Sequence, residues 1–118
     1  MTMRDYYVMM NSDYDDVFSR LRKDERILKY LRMFAQSTDL ADFEAAYQSK
    51  NYADAFRFSH NLKGVSLNLG LTPLSTSSSV LCEAFRSQTE PTIDVEPLLA
   101  EVKKAYSDIL NVIASIEA

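Results

Sequence analysis

The sequence is short of the residues that punctuate strands or staple a fold. Its 118 residues include two glycines, three prolines and one cysteine. Strand signals are weak throughout, and apolar spacings of three and four dominate, which predicts an all-α protein. Cys82 has no partner for an internal disulfide, so a reducing cytoplasm is its natural setting and a small buried hydrophobe its expected role. With one histidine and one cysteine, a His/Cys zinc site lacks ligands. A Cys82–His60 nucleophilic pair would need two different helices and a third orienting group that is not evident. No CxxC, HExxH, GxxxxGK[ST] or GxGxxG motif occurs. No apolar run approaches the roughly 20 residues that span a bilayer, so no membrane role is expected. MTMRDYYVMM has no long apolar core or cleavage site, so no signal peptide is read. The net charge is −4 and the basic residues are scattered, which argues against nucleic acid.

What is present is a soluble balance, 47% hydrophobic and 25% charged, in a length that suits one domain. Residues 2–10 and 14–21 read as short helices, the second with Val17, Phe18 and Leu21 on one face. Asp24 is a candidate N-cap. Ile27, Leu28, Leu31, Phe34 and Ala35 then form a stripe that Phe43, Ala46 and Tyr47 resume. One long helix over 24–49 is the preferred reading, two helices the alternative. Asn51 starts the next helix, and Gly70 stops it. Thr72-Pro73 pairs a capping hydroxyl with proline at the first helical position, opening a helix to about residue 88. In it Leu74, Ser78, Leu81 and Phe85 face inward, and the run Ser75 to Ser79 forms a small-residue face. Asp94 caps the last helix, whose stripe runs from Val95 through Val102 and Ile109 to Ile116. The expectation is an antiparallel up-down four-helix bundle over 24–117, with one or two short N-terminal helices within 1–22, together one domain over 1–118.

On the helix after Asn51, Ala55, Phe58, Ser59, Leu62, Val65, Ser66 and Leu69 fall within one arc at about 100° per residue. His60 points roughly 160° from the centre of that arc. Lys63 and Gly64 follow at i+3 and i+4 on the histidine's own face, with Phe56, Arg57 and Leu67. An outward histidine is ordinarily just solvated, interior glycine often serves packing, and scattered exposed apolar residues are normal. The conjunction is less ordinary. Gly64 bares the backbone beside the imidazole, at a helix-interior cost of about 1 kcal/mol. Phe56 and Leu67 offer a docking protein apolar bulk, and Lys63 offers a cation to a phosphoryl dianion.

The stretch Ser59-His60-Asn61-Leu62-Lys63-Gly64-Val65-Ser66-Leu67-Asn68-Leu69-Gly70 resembles the signature of histidine-containing phosphotransfer (HPt) domains, HxLKGxxxxxG with Asn two residues before the last Gly. Arg20-Leu21 with Asp24-Glu25 and Phe34 resembles the start of the family's N-terminal helix. Lys50-Asn51-Tyr52 stands where the family has a short turn. The resemblance implies that His60 is the phosphoacceptor, that Lys63 helps neutralise the phosphoryl group, and that Gly64 leaves room for a receiver domain. It also implies an arginine near the histidine from the following helix, at Arg86. Two departures exist. Val65 stands where Ser or Ala is frequent, and Glu83 falls one residue beyond the family's Leu-Glu position, which is Cys82 here.

The implied activity is relay of a phosphoryl group between receiver-domain aspartates through the His60 imidazole, a nucleophile near neutral pH. The chain would be a phosphocarrier and not an enzyme, with no nucleotide site and no autokinase activity. No acidic cluster accompanies His60, so no cofactor is expected on this chain, and Mg²⁺ would come from the receiver. Expected partners are response-regulator receiver domains and a hybrid sensor histidine kinase, the protein itself being a monomer. Met1 and a complete bundle point to a stand-alone protein, although a domain cut from a hybrid kinase would read alike. The competing readings are a pseudo-HPt adaptor that docks without being phosphorylated, and an unrelated helical interaction module.

Overall fold

A computed structural model of the chain describes residues 1–116, and the expected bundle limit at residue 117 lies outside them. The described residues are all-α. Two short helices, α1 (Met3–Met9) and α2 (Tyr14–Leu21), precede α3 (Asp24–Ala35), α4 (Asp39–Gln48), α5 (Tyr52–Asn68), α6 (Thr72–Ala84) and α7 (Glu96–Ala114). With α3 continuing into α4 as one strut, α5, α6 and α7 complete an up-down bundle in which α5 packs between α4 and α6, and α7 against α6 and α3. No described helix is long and apolar enough to cross a membrane.

The expected long helix over 24–49 is broken at residues 36–38. The physical cause is local competition for backbone groups. The Ser37 hydroxyl accepts from the Asp39 N–H at 3.2 Å, and the Thr38 hydroxyl donates to Asp42 at 2.9 Å. Tyr106 of α7 donates to the Ser37 carbonyl at 3.4 Å, fixing the break to the bundle. Other boundaries also move. Lys23, not Asp24, is the N-cap of α3, while the Asp24 carboxylate accepts from the Tyr14 hydroxyl at 2.6 Å. Thr72 and Pro73 both lie inside α6, with Leu71 as the cap residue. That helix ends at Ala84, short of residue 88. Asp94 does accept an N–H at the start of α7, from Glu96 at 3.0 Å, although Val95 is the formal cap. Phe18, expected on the inward face of α2, is exposed. Val17 and Leu21, four apart, share the face on the core; Phe18 is rotated about 100° from Val17.

The core is continuous through the helices and ends in two different structures. At the start of α5, Phe43, Tyr47 and Tyr52 surround the buried Phe85 ring, with centroid distances of 5.3, 5.7 and 6.4 Å. Along its middle, α5 meets α6 through small residues: Ser59 and Ser66 on one helix, Ser75 and Ser78 on the other, all buried. Each hydroxyl donates to a carbonyl of its own helix, from 2.6 Å at Ser78 to 3.1 Å at Ser75, so burial leaves no polar group unpaired. At its far end α5 is held by α1 and α2, described with the site below. The free thiol of Cys82 is buried in α6, as the sequence predicts.

Candidate functional site

Three features fix α5 in place. Asn51 caps its start by accepting from the Asp54 N–H at 3.1 Å. Its end closes through Gly70 at φ 66°, with Leu71 N–H donating to Ser66 at 2.9 Å and Gly70 N–H to Leu67 at 3.1 Å, a Schellman motif. The remaining terminal carbonyls are taken by the N-terminal helices. The buried Tyr7 hydroxyl donates to Leu69 at 2.7 Å, and Arg20 donates to Leu67 and Asn68 at 2.9 and 2.8 Å. The Asp13 N–H donates to Gly70 at 2.9 Å. Burial pushes the Tyr7 phenol far up, so it remains a donor. A cation at this end also suits the helix dipole.

On the helix so held, His60 is exposed, as its angular position predicts. One turn earlier stands Phe56, half-buried, its ring centroid 5.8 Å from that of the imidazole and inclined by 50°. One turn later stands Gly64. A Cβ built there meets nothing within 4 Å, so packing does not require this glycine. Lys63 is half-buried and leans toward α6, where it shares a groove of about 590 Å³ with Val80, Glu83, Ile93 and Leu98. Leu67, a turn past Gly64, is 50% exposed.

The two arginines of the expected site are each paired with a carboxylate. Arg57 lies over the Phe58 ring at 4.4 Å and pairs with Asp54 at 3.3 Å. Arg86, just past the end of α6, pairs with Glu83 at 2.9 Å and sits 5.7 Å from the centroid of Phe56. The structure therefore gathers Phe56, His60, Lys63 and Gly64 on one face and brings Arg86 to Phe56. Sequence reasoning missed Val80 and Ile93, exposed and apolar on the Lys63 flank. The signal was there for Val80, which lies off the inward stripe of α6. Among the described residues, no group of three or more His, Cys, Asp or Glu side chains is placed to hold a metal ion.

An exposed histidine followed one turn later by a glycine facing open space suits attack on a group presented by another protein. Comparison with known families finds a match: the sequence fits the model of the Hpt domain over residues 29–112. The chain belongs to the Hpt domain family. Searches of curated proteins and of solved structures found no match. As an Hpt domain it is a phosphocarrier module of two-component relays, whose family interacts with receiver-domain proteins and sensor kinases. The match takes in α4, α5 and α6 whole and stops short of α1 and α2.

Proposed function

We propose that His60 is the phosphoacceptor through which this Hpt domain relays phosphoryl groups between the aspartates of response-regulator receivers, one of them carried by a hybrid sensor histidine kinase. The observation that carries the reading is the open space at Gly64, one turn from the exposed imidazole. A helix-interior glycine costs about 1 kcal/mol relative to alanine, and here no neighbour needs its small size. Clearance for an incoming protein explains it. The neutral ring nitrogen attacks phosphorus, the P–N bond forms as the aspartyl P–O bond breaks, and the aspartate leaves as carboxylate. The second ring nitrogen keeps its proton, giving a phosphoimidazolium. Mg²⁺ belongs to the receiver's site. Lys63 supplies a cation to the phosphoryl oxygens, and Arg86 a second once it leaves Glu83. Phe56 and Leu67 form the apolar part of the receiver contact. Residues 1–118 act as one domain, α1 and α2 included, because these helices hold the end of α5. The cytoplasm fits the unpaired thiol of Cys82.

The test is transfer from a panel of phosphorylated receivers, and from phosphoramidate, to the wild-type protein and to His60→Gln. The wild type should gain an acid-labile, alkali-stable phosphoryl group, and His60→Gln should gain none while melting normally. A wild-type protein that binds receivers but never becomes phosphorylated would make the domain a docking adaptor.

A further inference from the structure

Glu83 is a carboxylate near the end of α6. It sits one turn before Arg86 and accepts from the Arg86 Nε with both oxygens at 2.9 Å. The Arg86 guanidinium carbon lies 5.7 Å from the Phe56 centroid, and the same ring lies 5.8 Å from the imidazole. Phe56 is therefore a wall shared by the histidine and the arginine. Glu83 also lines the groove that contains Lys63. One carboxylate thus pairs with one of the two cations that the relay reaction would use and shares a groove with the other.

Resting on His60 as the phosphoacceptor, we infer that Glu83 is a positioning residue: it stands in for the phosphoryl group, holds Arg86 while His60 is unmodified, and gives it up when His60 is phosphorylated. Energetics favour such an exchange. The Glu83 and Arg86 side chains are each more than half exposed, and exposed ion pairs are cheap to break. A phosphoryl dianion offers more charge and more acceptor oxygens than a carboxylate. The guanidinium moves by torsions of its own side chain, along the Phe56 face, with no change in the backbone. The exchange has a cost that makes it functional. Arg86 must leave one anion to serve the other. That cost pulls the equilibrium back toward the receiver. Glu83 thereby keeps phospho-His60 from becoming a sink, as a relay intermediate requires.

The measurement is the equilibrium constant for phosphoryl exchange between this domain and a receiver that phosphorylates it, for wild type, Glu83→Gln, Arg86→Ala and the double variant, with melting curves for each. Glu83→Gln is expected to shift the equilibrium about two- to five-fold toward phospho-His60, the range an exposed ion pair can contribute. Arg86→Ala should shift it the other way. In the Arg86→Ala background most of the Glu83→Gln effect should vanish. An unchanged equilibrium in Glu83→Gln overturns the inference. So does an equal shift with and without Arg86, which would make Glu83 a simple source of field. If the wild-type protein takes no phosphoryl group, the reading of His60 falls and this inference with it. If it does, and only the Glu83 result fails, His60 stands.

Discussion

The only two glycines of the chain stand six residues apart, one inside α5 and one just past its end, in opposite circumstances. Gly70 is at the end of α5, in left-handed backbone, where an added Cβ would stand 2.7 Å from the Asp13 carbonyl oxygen. Around it every loose carbonyl of the helix end has found a donor. Gly64 is in the helix interior beside His60, where an added Cβ meets nothing. One glycine is demanded by the fold, the other by nothing among the described residues. The difference separates the part of α5 that holds the histidine still from the part that stands open. The first belongs to α1 and α2, which lie outside the family match. On the proposed reading the second belongs to a partner.

Substitution at the two glycines should therefore act on different quantities. The largest effect is expected at Gly70. Left-handed backbone alone costs a side chain about 1–2 kcal/mol, and the neighbour at Asp13 is main chain, which yields poorly. Gly70→Ala should lower unfolding stability by at least about 2 kcal/mol in urea titration. Gly70→Asn separates the two causes, since asparagine tolerates the left-handed region but still brings a Cβ. If Asn restores wild-type stability, the close approach of Asp13 is not a constraint. Phosphoryl acceptance by the folded fraction should change little in either variant.

At Gly64 the expectation reverses. Gly64→Ala should raise stability by up to about 1 kcal/mol, because it gains helix propensity and meets no neighbour. Gly64→Gln should also fold normally, yet accept phosphoryl groups from a receiver far more slowly, since small displacements of reacting atoms are costly. Phosphoramidate, being small, should phosphorylate Gly64→Gln nearly as well as wild type. A Gly64→Gln protein that matches wild type in receiver-dependent transfer would mean that clearance is not the glycine's purpose.

Which of these features could be read from sequence follows from the range of the interactions behind them. The outward direction of His60 needed only the period of one helix, and the stop at Gly70 and the cap at Asn51 needed only neighbours in the chain. The break at residues 36–38 was weakly signalled by Ser37 and Thr38 with Asp39 following, but its fixing partner, Tyr106, comes from α7. The exposure of Phe18 was hidden because an eight-residue helix has too short a stripe to define its inward face. Arg20 gave no hint that it would serve carbonyls at Leu67 and Asn68, and although Glu83 and Arg86 stand at the local i,i+3 spacing of an ion pair, their place beside Phe56 exists only once the chain folds.

The smallest effect concerns the charge that steadies Arg20. Asp16 accepts from both Nη atoms of Arg20 at 2.7 Å, while Arg20 reaches across to the end of α5. The hydrogen bonds from Arg20 hold the Asp16 carboxyl below its usual range, with desolvation opposing them. The sign of the linkage follows. A carboxyl whose folded pKa is depressed contributes stability above its unfolded pKa, near 3.9, and loses that contribution as pH falls through the folded value. The pair is partly exposed, at 37% and 43%, so solvent screening limits its contribution to under about 1 kcal/mol. Wild type should exceed Asp16→Asn in stability by that small margin at pH 6. The gap should narrow as the pH falls below about 4, and it should shrink in high salt. A gap that persists at low pH would assign the effect to packing at Asp16 and not to its charge. Arg20 would then hold the end of α5 without help from its ion pair, and the clamp would be insensitive to acid.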